Sequence, residues 1–152
     1  MILVLALLIG IVAGLRAMMA PAAVAFAARF GGLALADTPL AFVGYAWTPW
    51  ILGVAALGEL VTDQLPGTPS RKVPVQFGAR IVTGAFSGAC IGAAHAMLVG
   101  GLIAGALGAV LGTYGGAAAR SKMAATFRGD RPAALIEDVV AIVLAAIVVS
   151  AA

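Results

Sequence analysis

The sequence is organised around residues 14–21, which read Gly-Leu-Arg-Ala-Met-Met-Ala-Pro inside an apolar run from Met1 to Ala28. Glycine and proline both weaken a helix, and Pro21 leaves one backbone carbonyl without its usual donor. The charge of Arg16 is costly in hydrocarbon and needs a partner or water. A broken helix that carries a charge at membrane depth usually lines a cavity or a protein interior. We therefore expect the first helix to break here and Arg16 to find a partner elsewhere in the chain.

The composition predicts an integral membrane protein. The chain has 152 residues, of which 63% are hydrophobic and 10% charged, whereas soluble domains carry roughly a quarter charged residues. The apolar runs are continuous and do not alternate with polar residues, which indicates helices. The length fits one domain spanning residues 1–152. The formal charge of +3 does not argue for a nucleic-acid partner, and Cys90, the single cysteine, excludes an internal disulfide.

The apolar stretches predict an all-α fold with about five transmembrane helices, the first and fourth broken by Gly or Pro. We place the spans at residues 1–28, at residues 49–63, twice within residues 81–119 with a turn at Gly100-Gly101, and from Pro132 to the C-terminus. A span needs about 20 residues. The first stretch, at ~42 Å, is too long for one straight span, so its second half must tilt, re-enter or leave the membrane.

Loop charge predicts the orientation. Seven basic residues lie after spans two and four: Arg71, Lys72, Arg80, Arg120, Lys122, Arg128 and Arg131. The opposite side carries only Arg29. The positive-inside rule then places the N-terminus in the cytoplasm and the C-terminus outside a bacterial inner membrane.

Two ridges of glycine predict close helix packing. Glycine recurs every four residues in spans three and four: Gly84, Gly88 and Gly92, then Gly108, Gly112 and Gly116. This spacing places the residues on one helix face, where two backbones can approach closely. The pattern leaves open whether the contact lies within one protomer or between protomers. Since five short spans enclose little space, we expect a homodimer.

Two similar segments raise the hypothesis of an inverted repeat. Span four contains Gly-Thr-Tyr-Gly-Gly-Ala-Ala-Ala-Arg at residues 112–120, which resembles the Gly-broken, Arg-containing end of span one. Each segment is followed by a span with Ala-Leu-x-Glu, at residues 56–59 and 134–137. Inverted repeats with broken helices are a common transporter plan. Chance matching in an Ala-rich chain is the rival explanation.

Three segments resemble a family of small bacterial membrane proteins that is catalogued as a domain of unknown function. They are Gly-Leu-Arg…Ala-Pro at residues 14–21, Gly-Glu-Leu…Asp-x-Leu-Pro at residues 58–66, and Thr-Pro-Ser-Arg at residues 68–71. The family pattern has a Gly-x-Arg…Pro segment followed by Glu…Asp-Lys-x-Pro, and Gln64 stands here in place of the lysine. The resemblance implies a polytopic helical fold and brings no established activity.

Six residues are candidates for a substrate-binding or proton-coupling site: Arg16, Glu59, Asp63, Tyr114, Arg120 and Glu137. Glu59 and Asp63 lie four residues apart on one helix face. Glu137 and Asp138 point about 100° apart on a helix, so we expect only Glu137 to face the same centre as Glu59. One interpretation is a polar centre where acids bind a proton or cation and arginines hold an anion. The alternative is a set of structural ion pairs, or charges that reach the headgroups.

One loop is a candidate site for a phosphate or a lipid headgroup because it combines hydroxyls with cations. Its residues are Thr68, Ser70, Arg71 and Lys72. As an ordinary cytoplasmic loop it needs no ligand. His95 stands alone and is a poor metal ligand, so we expect no metal and no cofactor. The sequence has no GxSxG, HExxH or GxGxxG motif and no Cys/His pair, so an enzyme is not the expected class.

The sequence is compatible with three functions. The first is a small transporter or channel for an anionic or zwitterionic molecule or an ion, with Glu59 as a possible proton-coupling site. The second is a non-catalytic scaffold or accessory subunit that uses its charges as ion pairs. The third is an enzyme that acts on the headgroups of membrane lipids, with Glu59 and Asp63 as acid and base.

Overall fold

A computed structural model describes residues 1–65, 70 and 72–152, and within these residues it contains helices and no strands. The six α-helices are α1 (Ile2–Leu15), α2 (Met19–Phe26), α3 (Thr48–Thr62), α4 (Pro74–Ala93), α5 (Leu98–Phe127) and α6 (Asp130–Ser150). A π-helical segment, Ala27–Gly31, extends α2, and a short 3-10 helix, Ala41–Gly44, precedes α3. The predicted all-α class is confirmed.

The break predicted within residues 14–21 is present. α1 ends at Leu15, Arg16 is extended, and the amide of Met19 donates a hydrogen bond to the carbonyl oxygen of Arg16 as α2 begins. Pro21 is not the cause of the break, since it lies in the first turn of α2, where backbone N–H groups lack intrahelical partners anyway. The break is a tight reversal of the chain, so that α1 and α2 form a helical hairpin with Arg16 at its tip.

Consecutive helices alternate in direction. α1 runs parallel to α5, because Gly10 faces Gly105 and Gly14 faces Ala109. α4, α5 and α6 follow one another as antiparallel neighbours joined by short connections. α3 is antiparallel to α2, because Glu59 near its end contacts the hairpin tip while its first turn packs on the end of α2. Both ends of the chain therefore lie at the same end of the bundle, where α5 begins.

This arrangement corrects two predictions from the sequence. The described residues contain six α-helices that alternate in direction, where five spans were expected, because the N-terminal stretch reverses at Arg16. Its two ends consequently lie together, although opposite sides were predicted. In the described part of the chain, two helices are long and apolar enough to cross a membrane, α5 with 30 residues and α6 with 21. The fold is compatible with a membrane, but it does not contain five full-length spans.

The glycine ridges bring three helices together within one chain. Gly84, Gly88 and Gly92 of α4 lie against the α5 backbone from Met97 to Gly105. Gly108 and Gly112 lie against the α1 backbone near Leu7 and Ile11, and Gly116 is buried. α1, α4 and α5 thus form a compact core in which backbones touch directly. Since these ridges are used inside the protomer, they no longer support the homodimer, which stays a prediction.

A break in the fourth span was also predicted, and it is wrong. α5 is one continuous helix through residues 112–120, because glycine alone only lowers helix propensity and no proline interrupts this segment. Contacts with α1 support the backbone on the glycine face. The inverted repeat was predicted from two broken segments and from two Ala-Leu-x-Glu matches. Because α5 is not broken, the first of these two arguments no longer holds. The turn predicted at Gly100-Gly101 lies earlier, between Ala93 and Leu98.

Replacing Gly108 by alanine is expected to lower the free energy of unfolding by about 1–3 kcal/mol, the usual cost of overpacking. A Cβ atom at this position would overlap the carbonyl oxygen of Leu7. Gly115 on the same helix has open space around it, so Gly115→Ala should be neutral or stabilising by up to about 1 kcal/mol. Unfolding in detergent measures both variants. Equal stabilities would contradict the described packing of α5 on α1.

Candidate functional site

Eight charged side chains meet around the tip of the α1–α2 hairpin and form what we call the charged cluster. Its members are Arg16, Glu59, Asp63, Arg80, Arg120, Asp130, Glu137 and Asp138. They come from the hairpin tip, from α3 and the residue after it, and from α4, α5 and α6. Five of the six predicted site residues belong to this cluster.

Arg16 is the centre of the cluster and is fully buried, with 0% of its surface exposed. Its Nε donates a hydrogen bond of 2.6 Å to Oδ1 of Asp138, and its Nη1 donates to Oδ2 of Asp63. Oε2 of Glu137 lies 3.9 Å from Nη2. A buried guanidinium is tolerated only when carboxylates pair with it. Arg16 therefore ties the hairpin to α6 and to the end of α3.

Glu59 caps the start of α2. Its two carboxylate oxygens accept hydrogen bonds of 2.8 Å each from the backbone amides of Ala17 and Met18. These two amides lie immediately before the first residue of α2, next to the positive end of the helix dipole, where an anion is stabilised. The carboxylate of Glu59 is the anion that occupies this position.

Arg80 caps the end of α1 in the complementary way. Its Nη1 donates hydrogen bonds to the carbonyl oxygens of Gly14 (2.9 Å) and Leu15 (2.7 Å). Its Nη2 lies 3.7 Å from Oε1 of Glu59. The last carbonyls of a helix attract a cation for the same electrostatic reason. A carboxylate and a guanidinium thus hold the two halves of the broken helix, and they also contact each other.

Arg120 extends the cluster towards its exposed side. Its Nη1 donates to Oδ2 of Asp63 at 2.6 Å and lies 3.5 Å from Oε2 of Glu137. Its Nε and Nη2 pair with both oxygens of Asp130, at 2.9 and 2.5 Å. Asp63 consequently bridges two arginines, Arg16 and Arg120.

Three members of the cluster, Arg80, Asp130 and Asp138, were not among the site residues predicted from the sequence. Arg80 had been interpreted as a basic residue of the positive-inside bias, yet it is buried with 3% exposure. Asp138 was set aside in favour of Glu137, yet both are buried. Although neighbouring helix positions point about 100° apart, both carboxylates reach the charged cluster. Glu137 lies beside Arg120, and Asp138 binds Arg16. Gln64 supports Asp138 through a 3.1 Å hydrogen bond from its Nε2 to Oδ2.

The remaining predicted site residues lie elsewhere. Tyr114 is half-exposed on α5, where its ring packs edge-on against Phe77 and lies 5.9 Å from Nζ of Lys72. Its hydroxyl is therefore not part of the charged cluster. In the predicted phosphate loop, Oγ of Ser70 accepts a 3.3 Å hydrogen bond from the amide of Lys72. Thr68 and Arg71 lie outside the described residues.

No group of three or more His, Cys, Asp or Glu side chains is placed to hold a metal ion within residues 1–65, 70 and 72–152. The carboxylates of the charged cluster point at guanidinium groups and backbone amides. The arrangement therefore ties together charged groups from different helices.

A lateral groove begins beside the charged cluster and runs to the other end of the bundle. Its walls are α2 with its π-helical extension, α3, and the second half of α6, and its volume is about 860 Å³. Met19 and Leu60 line it near the cluster, and Phe30, Trp50 and Ser150 line it at the far end. The lining is almost entirely apolar, in contrast to the cluster.

No family model, curated protein or solved structure matches the chain. Function must therefore be argued from the hairpin tip, the charged cluster and the groove.

Proposed function

We propose that the protein is a proton-coupled membrane transporter for a small anionic or zwitterionic substrate. The observation that carries the proposal is the anion position at the start of α2, where the amides of Ala17 and Met18 bind the carboxylate of Glu59. Transporters with broken helices bind substrate carboxylates at such positions. Glu59 acts as an internal anion, which a substrate anion replaces when Glu59 takes up a proton.

The depth of the cluster supports this proposal. The carbonyl oxygen of Gly14 lies 3.4 Å from Oγ1 of Thr113, and Thr113 lies fifteen residues after Leu98, where α5 begins. Fifteen residues of helix measure ~23 Å, which is less than the ~30 Å hydrocarbon core. If α5 enters the core at Leu98, the hairpin tip lies inside it and close to its opposite surface.

α3 is the element best suited to move. Among its residues only Pro49 and Ala56 are buried, whereas α1 is buried along most of its length. At its cluster end, Glu59 and Asp63 attach it to the hairpin tip. Protonation of Glu59 would remove one of these attachments. The start of α2 then becomes accessible from the exposed side of the cluster, where Arg120 pairs with Asp130.

The basic residues around the cluster support an orientation in the bacterial inner membrane. Lys72, Lys122, Arg128 and Arg131 lie at the end of the bundle that contains the charged cluster. The positive-inside rule places that end in the cytoplasm. Since both ends of the chain lie at the other end of the bundle, the proposed orientation has both outside the cytoplasm.

Proton flux in proteoliposomes tests the proposal. Vesicles that contain a pH-sensitive dye are mixed with acetate, lactate, glutamate or glycine at fixed external pH. At least one of these compounds is expected to drive protein-dependent acidification, and Glu59→Gln should reduce its rate at least tenfold, because glutamine cannot take up the proton. Asp37→Asn is the matched control, since Asp37 is an exposed carboxylate in the connection between α2 and α3. Unchanged flux in Glu59→Gln would contradict the coupling role.

The close contact of Arg16 with two carboxylates favours a second candidate, a non-catalytic membrane scaffold. Arg16 contacts Asp63 and Asp138 directly and has no exposed surface. Such a cluster fixes helix positions without binding any substrate. The two candidates differ in the flux assay: a scaffold shows no substrate-dependent proton movement with any compound, and Glu59→Gln then changes stability alone.

A further inference from the structure

The lateral groove has a shape that the protein's own side chains do not fill. Small residues contribute much of its lining: Ala22, Ala23, Ala27, Gly53, Ala145 and Ala146. Larger apolar side chains of α3, including Val54 and Leu57, stand along one rim and are exposed. The groove is therefore apolar and open along the side of the helix bundle. In a membrane, this side faces the lipid, which could occupy the groove.

The length of the groove suits one acyl chain. From Met19 to Gly31, both of which line the groove, twelve helical steps measure ~18 Å. One leaflet of the hydrocarbon core is ~15 Å deep. A chain that crosses one leaflet therefore matches the groove in length.

The far end of the groove carries the features of a headgroup site. Arg29 is exposed there, with its guanidinium carbon 6.0 Å from the centre of the Phe30 ring. The ring of Trp50 packs edge-on against Phe26 at 5.5 Å, so that aromatic side chains surround this end. Tryptophan favours the headgroup level of a membrane, and arginine pairs with phosphate. A cation at the end of an apolar groove fits a lipid with a negatively charged headgroup.

We propose that the lateral groove binds an acyl chain of an anionic phospholipid, with its phosphate at Arg29 and its chain running along α2 towards the charged cluster. The proposal is independent of transport, since it uses neither Glu59 nor the hairpin tip. It assigns a binding role to Arg29, Phe30 and Trp50, which the charged cluster does not use.

Quenching of tryptophan fluorescence by brominated lipids tests the proposal. The chain has two tryptophans, of which Trp50 lines the groove and Trp47 does not. Trp47→Phe protein is placed in phosphatidylcholine vesicles that contain increasing fractions of phosphatidylglycerol with brominated acyl chains. Half-maximal quenching of Trp50 is expected at a several-fold lower fraction of this lipid than of brominated phosphatidylcholine. Arg29→Gln should remove the difference between the two lipids.

Two further variants distinguish the groove from general lipid contact. Ala146→Phe places a ring in the groove at an exposed position, and it should reduce quenching by both lipids, whereas Ala118→Phe on an exposed face of α5 should not. Trp50→Phe protein, which retains only Trp47, should show equal quenching by the two lipids. The proposal is wrong if Trp50 shows no preference for the anionic lipid and no response to Ala146→Phe. It is also wrong if Trp50 is shielded from both lipids while the protein forms dimers.

Discussion

Arg16→Gln is expected to leave little folded protein in the membrane fraction. Removing one partner of a buried ion pair costs about 3–5 kcal/mol, because the other charges stay buried without compensation. Here the loss affects Asp63 and Asp138 together. A domain is stabilised by only about 5–15 kcal/mol in total, so the variant should aggregate or be degraded. Size-exclusion chromatography after detergent extraction measures the monodisperse fraction.

Two controls show whether Arg16→Gln loses folded protein because carboxylates are left unpaired or because one positive charge is missing. Arg131→Gln removes the same charge from an exposed position on α6 and should leave the protein monodisperse. Adding Asp63→Asn and Asp138→Asn to Arg16→Gln removes the carboxylates that would otherwise be left unpaired, and should recover part of the folded fraction. A fully folded single variant, or no recovery at all in the triple variant, would contradict the central position of Arg16.

Arg80→Met should give the second largest effect, a loss of about 2–4 kcal/mol in the free energy of unfolding. The variant removes the guanidinium that caps the carbonyl oxygens of Gly14 and Leu15, so that Gly14 keeps only the 3.4 Å hydrogen bond from Oγ1 of Thr113. An unsatisfied buried acceptor costs about 1–3 kcal/mol. Methionine keeps most of the apolar volume, so the packing of the side-chain stem changes little.

Unfolding by SDS in mixed micelles measures this change. Lys122→Met is the control, because Lys122 is exposed on the same side of the bundle. Its effect should lie within about 0.5 kcal/mol, as for most surface substitutions. If Arg80→Met is as mild as Lys122→Met, the cap at the end of α1 is not a stabilising interaction.

The helical class and the position of the break could be predicted from the sequence, because both follow from local properties. Long apolar runs form helices, and an arginine between Gly14 and Pro21 marks a discontinuity. The chain reversal at that point could not be predicted. Whether a broken helix continues or turns back depends on distant partners, here Glu59 and Arg80, whose approach to the tip is a tertiary contact.

Five of the eight members of the site were predicted from the sequence, but their contacts with one another were not. A buried arginine needs carboxylates, which pointed to Arg16, Glu59, Asp63 and Glu137. Glu59 was expected to belong to a polar centre or to an ion pair, but its closest partners are two backbone amides that are available because the helix breaks there. The break that was predicted near Tyr114 is absent for a related reason. The glycines of α5 pack against a neighbouring backbone, which supports a continuous helix, and the sequence alone does not show that neighbour.

The central claim is that the N-terminal stretch turns back at Arg16, so that both ends of the chain lie opposite the charged cluster. Labelling of single cysteines with a membrane-impermeant maleimide tests it in a Cys90→Ser background. A cysteine inserted after Met1 should react in intact spheroplasts together with Asp37→Cys and Ala151→Cys, while Ser121→Cys should react only after permeabilisation. If the cysteine after Met1 instead behaves like Ser121→Cys, the hairpin does not form in the membrane.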